Sequence, residues 1–161
     1  MPVFKLGDET YLGGKGAVGP QGRGGVATDF LFSDESTKSF AVVELKTPNT
    51  PLTGQIYRGA RGSSDDQEVY SVSPELSGAI IQTRNQIAVA LDDFDAVLRR
   101  TFDNMRRVHA SGVLIVGLVE GLSDRQLASF NLFRRGLDDL TVITFDELLG
   151  RLDFLFGNSV A

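Results

Sequence analysis

The stretch DFLFSDESTKSFAVVELK, from Asp29 to Lys46, is the part of the sequence that decides the fold. Apolar and β-branched residues dominate two runs, roughly 26–32 and 40–46, and a polar, turn-forming cluster separates them. We therefore predict an antiparallel hairpin whose turn centres near Ser36 and Thr37.

This register predicts which side chains face each other across the hairpin. With the turn at that position, the numbers of facing residues sum to about 73, so Asp29 faces Glu44. Side chains two apart on a strand share a face, so Lys46 joins Glu44, while Leu45 is expected to point into the core. The hairpin thus ends in a cluster of an Asp, a Glu and a Lys.

The chemistry of such a cluster favours a divalent metal ion. Two adjacent carboxylates repel each other unless a proton or cation intervenes, and hard oxygen ligands suit Mg²⁺ or Mn²⁺. A lysine beside the metal can polarise a water molecule or neutralise charge that develops on a phosphate, as metal-assisted phosphodiester hydrolysis requires. The alternative is a salt bridge at the end of a strand, because the pattern D-x14-E-x-K is loose when taken alone.

Further residues in the same order resemble a known nuclease superfamily. A strand with Asp29, a strand with Glu44 and Lys46, and a helix with Gln82 look like the PD-(D/E)xK nucleases, although Thr28 stands where that superfamily's motif has Pro. Five ordered segments are similar to the nuclease domain of the Shedu anti-phage defence proteins: DFLF, VVELKTPNTPL, SPELSGAIIQTRNQ, SGVLIVG and TVITFDELL.

The resemblance, which runs from about Val26 to the end, implies an activity and a fold. It implies an α/β fold with a PD-(D/E)xK restriction-endonuclease-like core, in which a mixed β-sheet is flanked by helices. It also implies an Mg²⁺- or Mn²⁺-dependent endonuclease that cuts or nicks double-stranded DNA and forms homo-oligomers. Such a domain is usually one part of a longer chain that carries a regulatory region elsewhere, and we expect the same here.

Each motif residue takes a role from this resemblance. Asp29 and Glu44 would hold the metal, with possible support from the carbonyl of Leu45. Lys46 would orient or activate the attacking water, and Gln82 would support the nucleophile or substrate.

Composition narrows the class of protein. The chain has 161 residues, of which 42% are hydrophobic, so residues 1–161 are predicted to form one domain with a real core. There is no cysteine, no long apolar run and no secretory leader, so a cytoplasmic protein is predicted. The net charge of −5 argues against a general nucleic-acid binder. It does not exclude a nuclease, because bound cations would offset the carboxylates.

Two segments are predicted to be loops. Residues 13–25 hold seven glycines and a proline, which favours a flexible connection with Arg23 available to a DNA phosphate. The glycines there match GxGxxG, but no helix can open at them, so a nucleotide-binding enzyme is disfavoured. Residues 47–73 show no clear period, which predicts a long loop beside the site, where Arg58 and Arg61 could contact DNA or simply be solvated.

A helix begins with Ser73 as its N-cap and is predicted to continue to about residue 110, either unbroken or interrupted near Asp92. Glu75, Gln82 and Gln86 share one face of it, which suggests that this face looks into the site. Glu75 could then supply a further metal or water contact, and the alternative is ordinary polar surface. Arg84 on the same helix is a further candidate for DNA contact.

The remaining sequence predicts alternating strands and helices. A buried central strand is expected at 112–119, a helix capped by Ser123 and Gln126 runs to Arg135, and a strand at 141–144 leads into a last helix that ends near Gly157. A mixed α/β sheet follows from this order. The alternative function is a non-catalytic DNA-binding or oligomerisation module that retains the nuclease fold.

Overall fold

A computed structural model of the chain describes residues 4–6, 29–34, 39–59, 68–92 and 110–157. The predicted Gly-rich loop at 13–25, together with Arg23, Arg61 and the helix beyond Asp92, lies outside the described residues. In chain order the elements are β1 (Phe4–Leu6), β2 (Phe30–Asp34), β3 (Ser39–Leu45), β4 (Thr53–Arg58), β5 (Val69–Val72), α1 (Pro74–Asp92), β6 (Ala110–Ile115), α2 (Asp124–Arg135), β7 (Leu140–Ile143) and α3 (Phe145–Phe156).

The chain forms two compact units. Unit 1 comprises Met1–Leu45 and Ile81–Leu114, and unit 2 comprises Lys46–Ile80 and Ile115–Ala161. The expectation of one domain over the whole chain stays a prediction. Within the described residues, no helix is both long enough and apolar enough to cross a membrane.

The hairpin of unit 1 has the predicted register. β2 and β3 are antiparallel, and their paired residues run from Phe30 with Val43 to Asp34 with Ser39, so each pair sums to 73. β2 begins and ends later than the predicted run 26–32, and β1 pairs antiparallel with it. In the strand order of unit 1, β3 lies between β2 and β6.

The core of unit 1 lies along β3 and the second half of α1. Its most buried apolar side chains are Phe40, Val42, Val43, Ile87, Ala90 and Leu114. The prediction that Leu45 points into this core is wrong, because 37% of the residue is exposed. Strand periodicity identifies the face of the sheet on which a residue lies, but not whether anything covers that face.

In unit 2, the residues that follow β3 run parallel to the residues that follow β6. The Lys46 N–H donates to the Ile115 carbonyl at 2.8 Å and the Gly117 N–H to the Thr47 carbonyl at 3.2 Å, so these two segments advance in the same direction. The backbone of Val116 bonds to β7 in a similar way. With the antiparallel hairpin of unit 1, these contacts make the protein a mixed α/β fold whose sheet is flanked by helices, as predicted.

The predicted loop at 47–73 requires a correction, because it contains two strands. β4 and β5 form an antiparallel hairpin that pairs Thr53 with Val72 and has irregular register shifts. α2 packs on this hairpin: the Ser129 hydroxyl accepts the Tyr70 N–H at 3.0 Å, and Gln126 Nε2 donates to the Thr53 hydroxyl at 3.2 Å. The hairpin is therefore stabilised by contacts from a distant part of the sequence.

The three predicted helix starts are confirmed. At α1 the Ser73 hydroxyl accepts the Leu76 N–H at 2.9 Å. At α2 Ser123 and Gln126 form a reciprocal capping box, and the helix ends at Gly136 as predicted. At α3 the Glu147 carboxylate accepts the Thr144 N–H at 3.1 Å. These local hydrogen bonds satisfy backbone donors that a helix cannot satisfy by itself.

Candidate active site

The centre of the candidate site is the carboxylate of Glu44, near the end of β3 in unit 1. Glu44 is only 4% exposed. Gln82 Nε2 donates to its Oε1 at 2.8 Å, and Gln86 Nε2 donates to its Oε2 at 2.8 Å. Because an ionised carboxylate can only accept hydrogen bonds, both amides must present their nitrogens to it. Each oxygen of Glu44 is therefore held by a different glutamine.

Energetics suggest a reason for this arrangement. Burying a charged group without partners is costly, and a hydrogen bond to a charged group recovers about 1.5–3 kcal/mol. The two amide contacts of Glu44 therefore offset much of the desolvation cost without neutralising its charge. An apolar residue at this buried position would stabilise the core as well or better. A buried carboxylate that is held by two amides is therefore better explained by a role such as metal binding.

Asp29 lies beside the same strand. Its Oδ2 accepts the Leu45 N–H at 2.7 Å, and the residue is exposed. Phe30 pairs with Val43, and continuing this register by one position would bring Asp29 opposite Glu44. That pairing stays a prediction, because β2 begins at Phe30. Directly opposite residues in an antiparallel pair have Cβ atoms roughly 4.5–5.5 Å apart. With that pairing, the two carboxylates would start from neighbouring backbone positions.

The helix α1 supplies both amides because Gln82 and Gln86 are four residues apart and share a face. Gln86 is 1% exposed, whereas Gln82 is an exposed residue. The sequence places Gln86 on this face but does not single it out as a site residue, and its spacing from Gln82 is the signal that could have identified it. Glu75 is exposed and belongs to unit 2, so its supporting role stays a prediction.

The donor set fits a hard cation with few protein ligands. Among the described residues no group of three or more His, Cys, Asp or Glu side chains could hold a metal ion. The predicted ligands Asp29 and Glu44 would need further oxygen donors, such as the Leu45 carbonyl and water, and their metal-binding role stays a prediction. Mg²⁺ suits this arrangement because it retains several waters and is commonly held by one or two carboxylates.

For the remaining predicted site residues, the structure shows how exposed each one is. Lys46 belongs to unit 2 and is half-buried, and its proposed action on water stays a prediction. Arg58 is exposed at the end of β4, next to Tyr57, which is 82% exposed. Arg84 is exposed on α1. Their contact with DNA stays a prediction.

Two carboxyl groups with lowered pKa values lie in unit 2 at the start of α3. The bidentate hydrogen bonds from Arg134, each 2.7 Å long, are the main cause of the lowered pKa of Glu147. Partial burial acts to raise the pKa of Asp146, but donation from the Thr144 hydroxyl and from the N–H groups of Val119 and Glu120 outweighs it, so that pKa is also lowered. The Arg134 and Thr144 side chains and the nearby backbone N–H groups all stabilise the charged forms of these carboxylates, so helix capping and the ion pair account for both lowered pKa values.

Comparison with known proteins identifies the family. The sequence model of the family described as "Shedu protein SduA, C-terminal" matches residues 2–149. The chain belongs to this family. It is also 32% identical over 161 residues to "Shedu protein SduA" from Bacillus cereus (strain B4264). That match covers 94% of this chain and 39% of the relative, so this Shedu family member spans about two-fifths of the relative's length.

Proposed function

We propose that this chain is a PD-(D/E)xK nuclease domain that cleaves double-stranded DNA with Mg²⁺ or Mn²⁺ in anti-phage defence in the cytoplasm. The observation that carries the proposal is the buried carboxylate of Glu44, whose two oxygens accept hydrogen bonds from Gln82 and Gln86. The register of the hairpin, continued by one pair beyond Phe30 and Val43, supports a position for Asp29 near Glu44. Membership of the Shedu family supports the defence role.

The order of elements supports this type of nuclease. Asp29 precedes β2, Glu44 lies on β3, and Gln82 lies on a helix whose amide reaches Glu44. In the proposed site, Asp29 and Glu44 would hold the cation. When bound, the metal would lower the pKa of a water molecule and stabilise negative charge on the phosphate. Lys46 orients the attacking water, and cleavage leaves a 5′-phosphate.

The polar partners of Glu44 serve this chemistry by fixing its geometry. A carboxylate that accepts a hydrogen bond at each oxygen cannot rotate freely. The Glu44 carboxylate would therefore already be oriented when the metal binds. The exposure of Asp29 supports access by a large polymer substrate, which an endonuclease requires.

DNA binding and assembly complete the proposal. Arginine suits forked contacts with phosphate oxygens, so Arg58 and Arg84, both exposed, are candidates for backbone contacts. A regulatory region elsewhere in a longer parent chain also belongs to the proposal. Homo-oligomerisation would present more than one site to a duplex.

Plasmid cleavage tests the proposal. Supercoiled and linear plasmids are incubated with the protein in Mg²⁺, Mn²⁺ or EDTA, and Glu44→Gln, Lys46→Ala and the matched control Glu120→Gln are compared after each is shown to be folded by thermal melting. Glu120 is an exposed glutamate in unit 2. We expect metal-dependent cutting by wild type and Glu120→Gln, and a loss of roughly a hundredfold or more in Glu44→Gln and Lys46→Ala.

Two results would overturn parts of this proposal. Cutting that survives Glu44→Gln would show that the site is elsewhere. Metal-independent DNA binding without cutting in any condition would favour the non-catalytic module that retains the nuclease fold.

A further inference from the structure

We propose that Gln86 is a positioning residue that fixes the metal-binding orientation of Glu44, and that it does so as a rigid anchor distinct from Gln82. This inference rests on the proposed function, because it assigns a role toward the metal of the proposed site. It concerns a residue that acts through Glu44 and not by contact with the cation or the DNA.

The two glutamines differ in exposure although their contacts have equal length. Both amides lie 2.8 Å from a Glu44 oxygen. Gln86 is 1% exposed and its contact is buried, whereas Gln82 is an exposed residue. A hydrogen bond in buried, low-dielectric surroundings is stronger than one that water can reach, and breaking it leaves a buried polar group unpaired at high cost. The Gln82 contact is only part-buried. We therefore assign the anchoring contact at Oε2 to Gln86 and the more exchangeable contact at Oε1 to Gln82.

The surroundings of Gln86 make it a suitable anchor. Its neighbours along α1, Thr83, Ile87 and Ala90, are all buried, with exposures of 0%, 9% and 6%. Close packing restricts the side-chain rotamers available at such a position. The amide of Gln86 thus lies in a buried stretch of α1, and its hydrogen bond passes that restraint to Glu44.

The chemical consequence concerns metal affinity. A ligand carboxylate that is already oriented loses less freedom when it binds a cation than one that can rotate. Groups that hydrogen-bond to metal ligands typically change metal affinity or activity about 10–100-fold when they are removed. We therefore assign to Gln86 a contribution of this size to cation binding.

Calorimetric titration with Mn²⁺ tests this role without relying on activity. Gln86→Met keeps an unbranched side chain of similar length but removes the amide donor. Gln86→Asn keeps the amide but shortens its reach by one methylene, so it serves as a second test if the methionine variant does not fold. The control is Gln126→Met, which makes the same change at the capping glutamine of α2, where the amide donates to Thr53 instead.

The expected result is a Kd for Mn²⁺ that rises about 10–100-fold in Gln86→Met and Gln86→Asn and is unchanged in Gln126→Met. A purely structural role would lower the Tm of the Gln86 variants and leave Kd unchanged. That outcome would overturn the positioning role while wild-type binding still supported the proposed function. Absence of Mn²⁺ binding in the wild type would overturn both.

Discussion

Replacing Gly117 with alanine should destabilise unit 2 at the segment that follows Lys46. Gly117 has φ of +62°, where a side chain is disfavoured, and its N–H donates to the Thr47 carbonyl. A Cβ at this position would lie 2.6 Å from both the Thr50 carbonyl oxygen and Leu52 Cδ2. The backbone oxygen cannot move aside as a flexible side chain can, so the segment from Thr47 to Leu52 must shift.

The backbone conformation and the close contacts of Gly117 both contribute to the loss in the free energy of unfolding. The left-handed conformation costs an alanine about 1–2 kcal/mol, which is partly offset by about 0.4–1 kcal/mol because alanine restricts the unfolded chain. Forcing a methyl group into packed surroundings adds about 1–3 kcal/mol. We therefore expect Gly117→Ala to lower the free energy of unfolding by about 1–5 kcal/mol.

Gly121→Ala separates the two causes. Gly121 has φ of +86°, but apart from the two residues adjacent in the chain, no atom of the described residues lies within 4 Å of the point that an added Cβ would occupy. Only the conformational cost therefore applies. Urea unfolding followed by circular dichroism would measure both variants. We expect Gly117→Ala to lose about 1–3 kcal/mol more than Gly121→Ala. Equal losses would refute the argument that the close approach of Thr50 and Leu52 requires glycine at position 117.

Two further predictions concern caps and acid stability. Ser73→Ala should lower the free energy of unfolding by about 1–2 kcal/mol, because the Leu76 N–H loses its N-cap acceptor. Ser77→Ala, at an exposed position of the same helix, should change it little. Equal Tm values for the two variants would contradict this prediction. The pKa of Glu147 is lowered in the folded protein from its usual 4.5, so its contribution is present above pH 4.5 and is lost as the pH falls through the folded pKa. Arg134→Met should therefore lower Tm at pH 7 by the equivalent of about 1 kcal/mol and by progressively less below pH 4.5, whereas a pH-independent difference would contradict the assignment.

The features that the sequence predicts correctly are those that depend on local chemistry. The polar turn between two apolar runs predicts the hairpin register, which the pairing of Phe30 with Val43 confirms. The caps at Ser73, Ser123 and Thr144 are predictable because an N-cap interaction spans only a few residues. Such signals do not require knowledge of the rest of the fold.

Features that depend on distant contacts are harder to predict. β4 (Thr53–Arg58) is partly exposed, lacks alternation and pairs irregularly with β5, and contacts from α2 hold the hairpin. Helix periodicity places Gln82 and Gln86 on one face, but only the position of β3 shows that both reach Glu44. Burial also distinguishes the two amides, and no local pattern encodes that difference.

The position at which a paramagnetic cation binds tests most directly whether Asp29 and Glu44 form a metal site. In an NMR titration, substoichiometric Mn²⁺ broadens the signals of protons close to it. We predict selective broadening of the Leu45 backbone amide and the side-chain amide groups of Gln82 and Gln86, and its loss in Glu44→Gln. Broadening centred on other residues, or unchanged in Glu44→Gln, would contradict the claim that Asp29 and Glu44 hold the catalytic metal.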